Sequence, residues 1–146
     1  VSATYIFNDG GRANAGYKGK ADDCVTRAIS IATGKPYKEI YDAISKGSRE
    51  QRVTGGRKPK VSARERVNTG RKWFKDYMAS MGFTWVPTMQ VGAGCQVHLT
   101  AAELPKGKLI VSVSKHYTVM IDGVIYDTHD PSRNGSRCVY GYWIAA

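Results

Sequence analysis

The sequence has only three cysteines in 146 residues, Cys24, Cys95 and Cys138, and no CxxC pair. An odd number without close spacing argues against a disulfide framework and a thiolate zinc site, and favours a reducing, cytoplasmic compartment. No apolar run approaches the roughly 18 residues that a membrane-spanning helix needs. The opening VSATYIFNDGG lacks a basic stretch followed by an apolar one, so it does not read as an intact signal peptide. No internal repeat is visible. Acidic residues are scarce, 12 against 22 Lys and Arg, for a net charge of +10 and a pI near 9.7. That imbalance suits nucleic acid or an acidic protein surface, and equally a merely solvated basic surface. The remaining composition, 42% hydrophobic and 23% charged, is that of one ordinary globular domain spanning residues 1–146.

Along the chain, the glycine-rich NDGGRANAGYKGKADD reads as an irregular loop. From Asp22 or Asp23, either a good N-cap, Val25, Ala28, Ile29 and Ala32 recur at helical spacing up to Gly34. Cys24 falls in the first turn of that helix, where backbone N–H groups and the helix dipole favour a thiolate and an oxyanion. The bland alternative is a small buried hydrophobe. Thr33-Gly34-Lys35-Pro36 lacks the upstream glycine and strand of a phosphate loop. A second helix is expected from Pro36 to Ser45. A third is expected from a cap at Asn68 or Thr69 to Ser80, burying Trp73, Phe74, Tyr77, Met78 and Met81. Between them, around 46–67, lies a basic insertion expected to be an exposed loop. Its Arg49, Arg52, Arg57, Lys58, Lys60, Arg64 and Arg66 are candidate polyanion contacts. Without an aromatic residue inside it, base stacking is not indicated.

The C-terminal part reads as strands. Phe83–Val86 is stopped by Pro87, Gln96–Leu99 alternates briefly, and Leu109–Val113 runs into His116. Cys95 and His98 should then point to opposite faces, and both, with Cys138, read as structural. The stretch KHYTVMIDGVIYDTHDPSRNGSRCVY reads as a β-hairpin about the Asp122-Gly123 turn, followed by a strand over Arg137–Trp143. A tight turn sets Thr118 opposite Asp127 and His116 opposite His129. Asp127 is then a diagonal neighbour of His116, with Asp130 on the other face. A histidine held by a carboxylate, together with a cysteine at a helix start, is the logic of a nucleophilic triad.

The order of these parts resembles a papain-like cysteine peptidase, closest to the small bacteriocin-processing type. The carrying stretches are DDCVTRAISIATG and ELPKGKLIVSVSKHYTVMIDGVIYDTHDPS. The chain also resembles proteins encoded in bacteriophage genomes, with DCxxRAI near the start and HDPSR…VYGYW near the end. The resemblance implies an α+β, papain-like fold with N-terminal helices packed on a C-terminal antiparallel β-sheet. It implies Cys24 as nucleophile and His116 as base, acting on a protein or peptide substrate without metal or other cofactor, in a host cytoplasm or a virion. The carboxylate has two candidates: hairpin geometry favours Asp127, whereas the family's Asp-Pro matches Asp130 before Pro131. The family's oxyanion glutamine has no counterpart in GYKGKAD. The Cys24 backbone, with Asn8 or Asn14, is the available donor set. The alternative is an inactive papain-like module that binds nucleic acid or an acidic host protein through the basic loop.

Overall fold

The computed structural model describes residues 4–17, 23–50, 69–89, 92 and 94–145. Its elements run β1 Thr4–Phe7, α1 Cys24–Thr33, α2 Tyr37–Glu50, α3 Lys72–Ser80, β2 Phe83–Pro87, β3 Lys108–Val113, β4 His116–Ile121, β5 Val124–Asp127 and β6 Val139–Ala145. The architecture is α+β, with one six-stranded sheet in the order β1-β5-β4-β3-β6-β2. The sheet is mixed, not purely antiparallel as expected. The N-terminal β1 joins its edge parallel to β5, with Thr4 opposite Val124 and Phe7 opposite Asp127. At the other edge, Pro87 ends β2 opposite Gly141, a place where its missing N–H is tolerated.

The central hairpin forms as the Asp-Gly signal predicts. Asp122 and Gly123 both have positive φ, 49° and 83°, the backbone that matches the strand twist. Val119 pairs with Tyr126 and Ile121 with Val124, so continuing this register sets Thr118 opposite Asp127. The preceding strand ends at Val113, as the sequence predicts. The chain reverses at Ser114-Lys115, Val113 pairs with His116, and Lys115 takes a φ of 57°. No Asn-Gly or Asp-Gly marks this turn.

The α1 helix buries Val25, Ala28, Ile29 and Ala32, and Gly34 ends it at φ 74° with its N–H on the Ser30 carbonyl. The α2 helix is longer than expected, because Ser48 continues the buried Ile40–Ile44 stripe. Lys46 and Arg49, assigned to the basic loop, therefore belong to a helix. The α3 helix starts at Lys72 with Arg71 as N-cap, so Thr69 does not cap it. Phe74 and Met78 are buried, while Trp73, Tyr77 and Met81 are only partly so. Helices α1–α3 cover Ile110, Tyr117, Val119 and Trp143. The opposite face carries Leu109, Val111, Val113, Met120, Ile125 and Val139, packed with Leu99 and Leu104. Burial on both sides explains the nearly continuous apolar run of β3. No helix among the described residues is long and apolar enough to cross a membrane.

Cys95 and Cys138 are bonded to each other across 43 residues, with Cα atoms 5.8 Å apart. This corrects the expectation that no disulfide forms. A pairing set by tertiary approach leaves no spacing signal. Cys95 and His98 do not diverge either. The segment is not a strand beyond the single bridge of His98 to Cys138, and His98 Nε2 lies 3.6 Å from Cys95 Sγ.

Candidate active site

Cys24 is the first residue of α1 and the only free cysteine. The helix it begins packs on β4, whose first residue is His116. Asp127, the last residue of β5, accepts a hydrogen bond from His116 Nε2 at 2.7 Å. With Nε2 taken, Nδ1 is the ring nitrogen left for Cys24, which lines the same cavity as His116. The three residues singled out from sequence are thus brought together by two elements, a helix N-terminus and a tight hairpin. Asp130 is not part of the cluster, because its Oδ1 accepts the Ser132 backbone N–H at 2.9 Å in a turn of its own.

Burial pushes the His116 imidazole towards a lower pKa. Hydrogen bonds to Asp127 and Cys24, and their negative charge, outweigh it and raise the value from 6.5 to about 9. Burial raises the Asp127 carboxyl, but the His116 hydrogen bond and charge prevail and hold it below the ordinary range. At neutral pH the pair is an imidazolium and a carboxylate, with the imidazolium beside Sγ.

Sequence reasoning did not anticipate what surrounds this pair. Asp23, almost wholly buried, does not cap α1. Its carboxylate accepts from Tyr37 Oη at 2.5 Å and pairs with Arg27 and, at 3.2 Å, with Arg12. Arg27 also reaches Asp127 Oδ1 at 3.8 Å, linking the buried acid before the cysteine to the acid behind the histidine. The i,i+4 spacing of Asp23 and Arg27 was the only local signal. Since the Asp23 side chain is engaged elsewhere, it makes no cap hydrogen bond to α1, and Cys24 stands at the positive end of the helix.

A cavity of about 200 Å³ opens on Cys24 and His116, lined also by Thr69, Lys115, Tyr117 and Tyr140. A second, of about 340 Å³, shares Thr69, Tyr117 and Tyr140 and adds Lys75, Trp85 and Trp143. Neither Asn8 nor Asn14 lines the cavity at Cys24. Asn8 Oδ1 accepts from the Gly10 N–H at 2.8 Å, which turns it into the preceding loop, and Asn14 is exposed. The oxyanion expectation therefore reduces to the Cys24 backbone. Arg49 lies in the last turn of α2, and Arg52, Arg57, Lys58, Lys60, Arg64 and Arg66 fall outside the described residues.

Among the described residues, His116, Asp127 and His129 place potential metal-donor atoms within 4.8 Å of one another. His116 and Asp127 are already joined by their hydrogen bond, and the exposed His129 ring lies 5.0 Å from that of His116. The group is chemically coherent as an imidazole–carboxylate pair with a neighbouring ring. The chain matches no protein-family model, no curated protein and no solved structure.

Proposed function

We propose that the protein is a papain-like cysteine hydrolase that cleaves a peptide, isopeptide or related amide bond. The observation that carries this reading is the line Cys24–His116–Asp127: a thiol at a helix N-terminus, an imidazole against it, and a buried carboxylate on the far ring nitrogen. In the resting pair the Cys24 proton already sits on His116, and the thiolate attacks the acyl carbonyl. The Cys24 N–H stabilises the oxyanion. His116 then returns the proton to the leaving amine, and a thioester remains on Cys24. Water, deprotonated by His116, hydrolyses it. Asp127 fixes the ring orientation and stabilises its charged form.

Lys115 on the cavity wall and the net charge of +10 favour an acidic substrate. The test is to incubate the protein with peptide amides of varied acidity and look by mass spectrometry for an acyl adduct on the Cys24 peptide. The reading expects an adduct, released by hydroxylamine and absent in Cys24→Ala. Equal turnover by wild type and Cys24→Ala would remove Cys24 from the chemistry.

A further inference from the structure

The Cys95–Cys138 disulfide has chemistry built around it that a purely structural crosslink does not need. Cys95 is exposed and Cys138 half-buried. The bond ties the segment before Leu99 to the start of β6, where Leu99 N–H binds the Arg137 carbonyl and Val139 N–H the Val97 carbonyl, both at 2.8 Å. His98 stands beside it with Nε2 3.6 Å from Cys95 Sγ. The other ring nitrogen, Nδ1, lies 3.2 Å from Glu103 Oε1, and the same oxygen accepts from the His98 backbone N–H at 3.3 Å. Glu103 therefore fixes which nitrogen of His98 faces the sulfur. None of these residues lines the cavity at Cys24.

We propose that Cys95–Cys138 is a thiol–disulfide exchange site for dithiol reductants, with His98 serving the Cys95 sulfur and Glu103 positioning His98. One thiolate of the dithiol attacks Cys138 Sγ. A mixed disulfide forms, the Cys95–Cys138 bond breaks, and its electron pair leaves on Cys95 Sγ. His98, whose Nδ1–H is held by Glu103, gives its Nε2 proton to that sulfur. The second thiol of the dithiol gives its proton to His98, attacks the dithiol's other sulfur in the mixed disulfide and releases Cys138, which takes a proton from solvent. The protein gains two electrons and two protons, and the dithiol becomes an intramolecular disulfide. A cation or proton donor beside the departing sulfur speeds exchange because a better-stabilised thiolate leaves faster.

The experiment measures the rate at which dithiothreitol reduces the full chain at neutral pH. Samples are quenched in acid and the thiols counted by alkylation and mass spectrometry, Cys24 supplying a constant background of one. His98→Gln is expected to slow reduction about tenfold, as a fall in leaving-group stabilisation requires, and Glu103→Gln to slow it less. Both side chains are substantially exposed, so the fold should tolerate these changes. In the reduced wild type, peptide mapping should show Cys95 alkylated faster than Cys138. Reduction rates within twofold across the three proteins, or equal alkylation of the two cysteines, would overturn the proposal and leave a structural crosslink.

Discussion

Asp127 holds three things at once. Its Oδ2 accepts from His116, its Oδ1 from the Thr128 N–H at 2.7 Å, and Arg27 lies 3.8 Å from the same Oδ1. Asp127→Asn keeps the shape and removes the charge. Under the hydrolase reading it should lower kcat/KM by roughly 10²- to 10⁴-fold. It should also move the alkaline limb of the pH profile down from about 9, because the Asp127 charge and hydrogen bond no longer offset the burial that pulls the imidazole down. A limb that stayed near 9 in this variant would detach the carboxylate from the imidazole's charge. Arg27 acts one step further back, as a positioning residue between two buried acids. Arg27→Met should lower stability by roughly 1–3 kcal/mol, read from the denaturant midpoint, because it removes one partner from each buried carboxylate and leaves Arg12 and Tyr37 on Asp23 and His116 on Asp127. An unchanged midpoint would mean that Asp23 and Asp127 find other partners. At this scale the sequence was half legible. Cys24, His116 and Asp127 followed from a helix start and an Asp-Gly turn, which are local signals. Arg27 did not stand out, because its partners Asp23 and Asp127 meet only after α1 packs on the sheet.

Elements set by local chemistry were readable, and those set by distant packing were not. The end of α1 follows from Gly34, and the hairpin register from Asp122-Gly123. The β3–β4 reversal at Ser114-Lys115 carries no turn signature, and the pairing of β1 with β5 joins residues more than a hundred positions apart. Two glycines belong to this class of contact. A Cβ on Gly47 of α2 would stand 2.4 Å from the Trp73 ring, and one on Gly141 of β6 would stand 2.4 Å from Trp85 and 2.9 Å from the Val86 carbonyl. Each glycine lets an indole lie against backbone. Gly47→Ala and Gly141→Ala should each destabilise by about 1–3 kcal/mol, as overpacking does. Gly141→Ala should be the costlier, since its clash includes main chain. Thermal unfolding of the two variants checks this, and a wild-type midpoint in both would refute the packing argument.

For the whole molecule, the pH dependence of stability follows from the same pair. The folded His116 value, about 9, lies above its ordinary 6.5. The associated stabilisation is therefore complete below about 6.5 and lost as pH rises through 9. Asp127, depressed when folded, contributes above its ordinary value and loses its contribution as pH falls through the folded one. The urea midpoint should accordingly drop between pH 7 and pH 10, and His116→Gln should flatten that drop. An equal drop in both proteins would assign it to other groups. The disulfide acts at this scale too. A crosslink across 43 residues stabilises by roughly 2–4 kcal/mol through the entropy it removes from the unfolded chain, so reduction should lower the unfolding midpoint while the sheet remains. Three widely spaced cysteines gave no hint of this.

The most direct test of the central claim is the rate of Cys24 alkylation by iodoacetamide at pH 7, measured without reductant so that Cys24 is the only free thiol. If Cys24 and His116 form a thiolate–imidazolium pair, wild type should react at least about tenfold faster than His116→Ala, with Asp127→Asn between them. Equal rates in all three proteins would contradict the pairing, and with it the assignment of Cys24, His116 and Asp127 to one catalytic site.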